Sequence, residues 1–253
     1  MANERVNEQE EVGQPERRFA GVARLYGEDA YLKFTQATVV VVGLGGVGSW
    51  AAEALARSAI GHLVLIDFDH IAPSNINRQL HAMEGEFGKA KVSAMAERIR
   101  KINPDIQLTL HDAFLAEGNL ADLIPRGAYV LDACDDVPAK VALAAYCKES
   151  QIGLVICGGA GGKVNPSAVS VADLAKTVQD SLLAKIRAEL RKNHSFSRDL
   201  KQAMGIRAVY SQEPKLGGGS GGLACSGYGS AVSVTATFGF VAAAEILTLI
   251  ANG

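Results

Sequence analysis

Three glycines stand at the spacing that lets a backbone meet a phosphate: Gly43, Gly45 and Gly48, with Gly46 between them, in the run Gly-Leu-Gly-Gly-Val-Gly. Glycines let the chain approach an anion closely, and a helix that opens at such a turn offers unpaired N–H groups and a favourable dipole. Asp67 lies 19 residues past Gly48, where a carboxylate at the tip of the next strand accepts from ribose hydroxyls. A dinucleotide needs no more than this. The sequence adds Asp69, then Asn75, Arg78 and Gln79 in Ser-Asn-Ile-Asn-Arg-Gln, then Lys91 in Gly-Lys-Ala-Lys. A guanidinium forks onto phosphate oxygens and an ammonium adds a point charge, so this set suits a triphosphate. The run Asp-Ala-Cys-Asp-Asp puts carboxylates, Asp135 among them, at the end of a neighbouring strand, where an acid could hold Mg²⁺ against those phosphates. Arg78, Lys91 and Asp135 are therefore the candidates for catalysis. Read alone, each has a plainer explanation: a solvated ion pair for the two cations, a helix cap for Asp135. Jointly those explanations lose ground.

Secondary structure must bring these residues together. Thr38 to Val42 is an all-apolar run rich in β-branched residues, the mark of a strand buried on both faces. It enters the glycine turn, and an alanine-rich helix follows from Ser49 to Ala59. Further strands are expected at His62–Ile66, Gln107–Leu110, Tyr129–Leu131 and Gly153–Cys157, the last entering a second glycine run at Gly158–Gly162. Helices are expected at Lys89–Ile102 and Pro138–Glu149, and helical turns interrupted at Gly27 over Arg17–Phe34. Alternation of this kind predicts an α/β, Rossmann-like doubly wound sheet with its ligand site at the C-terminal edge of the strands. Residues 1–16 read as a disordered terminus and 17–253 as one domain, with a nucleotide-binding core over 36–160 and a C-terminal part over 173–253. That part opens on a basic helical segment, where Leu182, Leu183, Ile186 and Leu190 mark one face. Lys185, Arg187, Arg191 and Lys192 cover much of the rest, with Arg198 beyond.

Composition narrows the classes. The 253 residues are 48% hydrophobic and 21% charged, with a net charge of −2, so a large core forms and no global basic field advertises nucleic acid. Contact with RNA would have to be local, and between Lys176 and Lys201 seven basic residues face three acidic ones. On composition alone that is a solvated helix face. The four cysteines include no CxxC pair, so a zinc site of the usual spacing is not expected, and a reducing cytoplasm is. Cys134 and Cys157 read as core residues. Cys225, after the glycines 217–222, is either a packing residue or a reactive thiol. His81, His111 and His194 have no spacing that suggests metal or triad chemistry. Tyr228–Asn252 carries one charge, Glu245, and is long enough to span a bilayer. Its Ser, Thr and Gly content and the lack of a basic flank favour a buried strand or helix instead.

The motifs GxGGVGS, DxDxI, SNxNRQ, GxxK and DACDD, in this order, resemble the ubiquitin-activating-enzyme-like (ThiF/MoeB/HesA) superfamily over residues 17–160. Members adenylate carboxylates with ATP. The resemblance implies that Asp67 binds the ribose, that Asn75, Arg78 and Lys91 contact phosphates, and that Asp135 organises Mg²⁺. Within the superfamily, the opening Arg18–Gly27, the Gly158–Gly162 loop and the tail from Cys225 to Phe240 are similar to the bacterial tRNA threonylcarbamoyladenosine dehydratases. That likeness implies ATP-dependent cyclisation of the threonylcarbamoyl group beside the anticodon, a tRNA partner and a homodimer. With tRNA implied, Lys185, Arg187, Arg191, Lys192 and Arg198 become the candidate RNA contacts. Relatives place an arginine from the partner subunit near ATP, but the aligned position here is Gly21, and Arg18 and Arg24 flank it. Competing functions are activation of a ubiquitin-like sulfur carrier, a nucleotide-sensing adaptor docked on a cysteine desulfurase, and an NAD oxidoreductase.

Overall fold

The computed structural model describes residues 15–216 and 229–253. Residues 1–14, the glycines 217–222 and Cys225 lie outside the described residues. The chain runs α1 Pro15–Tyr26, α2 Glu28–Gln36, β1 Thr38–Val42, α3 Gly48–Arg57, β2 His62–Ile66, α4 Lys91–Ile102, β3 Gln107–His111 and α5 Leu120–Leu123. It continues β4 Tyr129–Asp132, α6 Val137–Glu149, β5 Leu154–Cys157, β6 Val169–Asp173, α7 Ser181–Asn193, β7 Arg207–Ser211 and α8 Val232–Asn252. The fold is the expected Rossmann-like α/β sheet. Helix α1 opens at Pro15, inside the stretch expected to be disordered, and meets α2 at Gly27 as the sequence predicts.

The seven strands lie in the order β3-β2-β1-β4-β5-β7-β6, parallel except that β6 runs antiparallel to β7. From β1 the chain steps outward through β2 and β3, then returns to lay β4 on the other side of β1, with Val42 opposite Asp132. The strand order reverses there. In open α/β sheets that reversal opens the crevice where ligands bind. Strands β6 and β7 escaped the sequence reading. Val169–Asp173 is a half-buried edge strand, and the apolar middle of β7 is too short to announce itself between Arg207 and Ser211.

Successive residues of β1 feed two cores. Val39 and Val41 pack with α3, α4 and α8, through Leu55, Met95 and Phe238; Val40 and Val42 pack with α6 and α7, through Leu143 and Ile186. The nearly charge-free tail is a core helix. Val234, Phe238, Ala242, Ile246 and Ile250 recur every four residues of α8 and are buried against the sheet and α3. Each large apolar side chain so buried contributes about 1.5–3 kcal/mol. The helix is long and apolar enough to cross a membrane, yet its apolar stripe is already used in the core.

Candidate functional site

A cavity of about 440 Å³ sits over the C-terminal ends of β2, β1, β4 and β5. Its lining includes Gly43, Gly45, Gly46, Asp67, Asp69, Asn75, Arg78, Gln79, Lys91 and Asp135. Of the predicted nucleotide set, only Gly48 is absent from the wall, and it shapes the turn from behind. A Cβ on Gly48 would lie 1.8 Å from the Gly43 carbonyl oxygen, so the turn closes only without a side chain. Gly43 has φ +82°, and a Cβ there would meet the Cys134 nitrogen at 2.9 Å. The glycine turn is thus wedged against the loop that follows β4.

Asp67 is already engaged by the backbone around it. Its Oδ2 accepts from Leu44 N at 2.6 Å, and its Oδ1 accepts from Asp69 N at 2.8 Å. The carboxylate therefore pins the glycine loop to the tip of β2. Burial raises its pKa above the ordinary value, against the pull of Lys91 and of the two N–H donors. Lys91 is itself buried, with Nζ 2.7 Å from Asp69 Oδ2 and 4.0 Å from Asp67 Oδ1. A solvated surface lysine is excluded by that geometry. A buried ammonium held by two carboxylates, one half-exposed, is a fixed cation at the cavity wall.

Arg78 is half-buried, and its stem lies over Gly46, where an added Cβ would come within 3.0 Å. Its Nη1 donates to Ser74 O at 2.8 Å and to Asn77 Oδ1 at 3.0 Å. Trp50 Nε1 donates to the Arg78 carbonyl at 2.9 Å, tying the segment to α3. The Ser49 hydroxyl links the same two pieces, donating to Gly45 O at 2.7 Å and accepting from Leu80 N at 3.2 Å. Asn75 Oδ1 accepts from Ala72 N at 3.0 Å, so that oxygen serves a turn and the amide NH₂ is what remains for a ligand. Gln79 Oε1 is buried with no hydrogen-bond partner among the described residues, a need that a ligand in the cavity can answer.

Beyond β4, the capping role belongs to Asp136, whose Oδ2 accepts from Ala139 N at 2.9 Å at the start of α6. Asp135 is exposed, lines the cavity and makes no hydrogen bond or ion pair among the described residues. Cys157 is buried as expected, its thiol pushed up to about 12 by burial. Cys134 departs from the core reading: it lies on the cavity wall, and burial with Asp132 beside it raises its thiol well above the ordinary range. Three parts of the wall had no place in the predicted site. Phe68 and Phe114 meet edge to face at 5.3 Å on the Asp67 flank, both about half exposed. Gly159 and Gly161, with Ser181 at the start of α7, form the opposite flank. Lys215 lines that flank too and donates to Ser181 Oγ at 3.1 Å.

The five candidate RNA contacts divide. Lys185, Lys192 and Arg198 are exposed. Arg187 turns inward, its Nη1 donating to Leu174 O at 3.3 Å and to Thr177 Oγ1. Arg191 donates from Nε to Ser197 O at 3.2 Å, and its Nη2 is buried with no hydrogen-bond partner among the described residues. Those two guanidiniums hold the connections on either side of α7 rather than facing solvent. Sequence periodicity places both off the apolar face; only the chain folding back over them turns them inward.

Fold and site together define a nucleotide-binding α/β protein, and the chain belongs to the ThiF family, whose sequence signature matches residues 17–253. More particular relatives cover nearly all of it. The chain is 46% identical over 241 residues to the tRNA threonylcarbamoyladenosine dehydratase of Haemophilus influenzae, 92% of each chain. With that of Bacillus subtilis it shares 36% identity over 191 residues, 75% of this chain and 72% of the other. The crystal structure of the Escherichia coli tRNA N6-threonylcarbamoyladenosine dehydratase in complex with ATP is similar at TM-score 0.87 and 47% identity, covering 93% of this chain and 94% of that one. A structure of the same enzyme in complex with AMP has TM-score 0.86.

Proposed function

We propose that this chain is an ATP-dependent tRNA threonylcarbamoyladenosine dehydratase acting in the cytoplasm. The observation that carries the reading is the convergence, on one cavity at the strand-order reversal, of the acid at the tip of β2, two cations held in place and a carboxylate with no partner among the described residues. Asp67 would hold the ribose of ATP, Phe68 and Phe114 would flank its adenine, and Gly43–Gly46 with Arg78 and Lys91 would receive its phosphates. Asp135 is the residue that would hold Mg²⁺. No group of three or more His, Cys, Asp or Glu among the described residues forms a metal cage, and Mg²⁺ carried by phosphates needs only one or two carboxylates. When bound, it neutralises charge developing on the phosphates.

A carboxylate is a poor electrophile because oxide is a poor leaving group. Its oxygen attacks the α-phosphorus, pyrophosphate departs, and an acyl-adenylate forms while Arg78 and Lys91 stabilise the developing charge. A nucleophilic atom of the same nucleoside then attacks the acyl carbon, and AMP leaves with the former carboxylate oxygen. The nucleoside has lost one water. Capture within one molecule has a high effective molarity and needs no covalent enzyme intermediate.

The nucleoside enters from the Gly159–Gly161 flank, and α7 connects this flank to the RNA surface. Ser181 and Leu182 at its start line the cavity, and Lys185 lies one turn along it. Mass spectrometry of nucleosides from threonylcarbamoylated tRNA, treated with the enzyme and Mg·ATP, should show loss of one water. An unchanged nucleoside mass, with ATP bound, would remove the dehydratase reading.

A further inference from the structure

Asp135, the cavity's one carboxylate without a partner among the described residues, sits on a loop with a buried anchor. Lys140, on α6, and Asp132, at the end of β4, are both fully buried, with Nζ 3.0 Å from Oδ1. Nζ also donates to the Asp132 carbonyl oxygen at 3.3 Å, and Asp132 Oδ1 accepts in addition from Cys134 N at 3.2 Å. The lysine stands one helical turn after the cap, its backbone N–H donating to Asp136 O at 3.1 Å. Residues 133–136 are therefore spanned by a bracket, with Asp132 at one foot and the first turn of α6 at the other. Ala133 N donates to Val42 O at 2.8 Å and holds the near side to β1. Asp135 is the member of that span presented to the cavity.

Stability does not account for the pair. A buried ion pair is often no more stabilising than apolar residues of the same volume, and among the described residues Asp132 Oδ2 is buried with no hydrogen-bond partner. A half-satisfied buried network is a poor way to build a core and a good way to hold a neighbouring loop in one place.

We infer that Lys140 is a positioning residue for adenylation, acting through Asp132 on the loop that presents Asp135 to Mg·ATP. The inference rests on the role proposed above for Asp135. Removing Lys140 alone would strand a buried charge and threaten folding, so the test uses the neutral pair Lys140→Met with Asp132→Asn, which keeps an acceptor for Cys134 N. Thermal melting verifies the fold, and calorimetry measures Mg·ATP and AMP affinity with Asp135 present and in an Asp135→Ala background. With Asp135 present, the neutral pair should weaken Mg·ATP about tenfold and slow dehydration, while AMP affinity stays within about twofold; in the Asp135→Ala background it should change Mg·ATP affinity less than about twofold. Equal losses in the two backgrounds, or a matching loss for AMP, would show a bracket that merely holds the fold and overturn the inference alone. Parental Mg·ATP affinity in Asp135→Ala itself would overturn both the inference and the assignment of Asp135.

Discussion

The cavity's β2–β1–β4 flank and the basic segment around α7 are both dense in charge, but they hold it differently. On the flank, Asp67, Lys91 and Arg78 are oriented by backbone N–H groups, carbonyls and opposite charges, and they open onto one cavity. Around α7, two of five candidate cations are spent on carbonyl and hydroxyl groups of neighbouring connections, and three extend into solvent. Fixed charges save the reorganisation that would otherwise be needed as a reaction develops charge. Loose ones serve a polyanion that carries its own regular spacing. Charge density in a sequence therefore says little about use; the partners of each charge say more.

The largest effect should follow from truncating the flank. Arg78→Ala and Asp135→Ala should each lower dehydration by about a hundredfold or more, the scale lost with one preorganised electrostatic group. Melting temperatures should stay near the parent, because neither side chain is packed in the core. Turnover near the parental rate in either variant would mean that this residue does not serve the triphosphate.

Asp67→Ala should weaken ATP and AMP alike, by roughly 1–3 kcal/mol, the cost of unpaired polar groups at a site built to hydrogen-bond. The ribose is common to both nucleotides, and the tie to Leu44 N is lost in either case. Calorimetry that finds ATP weakened and AMP untouched would shift Asp67 from ribose to phosphates.

The basic segment should respond on a different axis. Replacing Lys185, Lys192 and Arg198 with alanine should lower the salt slope of tRNA binding by about two to three units, at roughly 0.7–0.9 per phosphate contact. ATP affinity should not move. Arg187→Ala and Arg191→Ala should instead destabilise the fold by about 1–2 kcal/mol, as expected for partly buried hydrogen-bonded groups, with little change in slope. A triple variant with the parental slope would place the RNA surface elsewhere.

The smallest expected effect concerns His81, behind the flank. It is buried, neither ring nitrogen has a hydrogen-bond partner among the described residues, and burial with Lys91 nearby lowers its pKa to about 4 from an ordinary 6.5. As pH falls from 6.5 toward 4, the unfolded chain takes up a proton that the folded one refuses, so stability falls by about 1 kcal/mol per pH unit in that window. His81→Phe should remove that part of the decline, as read by denaturant unfolding at pH 6 and pH 5. Parallel stability curves for parent and variant would show that the ring protonates normally.

The glycine turn was legible because local geometry restricts it to glycine, and Asp67 because a strand of ordinary length fixes its distance from that turn. The Asn75–Lys91 set was legible by type, since several polar and basic side chains follow closely on the acid at the tip of β2, and the structure brings Asn75, Arg78, Gln79 and Lys91 to one cavity wall. Which neighbour caps α6 was not. Asp135 and Asp136 are adjacent and chemically identical, and only the direction in which the chain enters the helix frees one and occupies the other. Phe114 was hidden for a similar reason: it follows β3, and it meets Phe68 only because β3 lies beside β2.

By itself the sequence determined what is local and periodic: the buried parallel strands, the glycine turn, the acids at strand tips and an apolar tail that must be covered. Tertiary structure decided whatever depends on segments far apart in the chain. It laid β4 beside β1 and so brought Asp135 across from Asp67, turned Arg187 and Arg191 inward, and buried Lys140 against Asp132. The physical reason is the short range of these interactions. A hydrogen bond or buried ion pair acts over a few ångströms, while sequence distance records only how much chain lies between its partners.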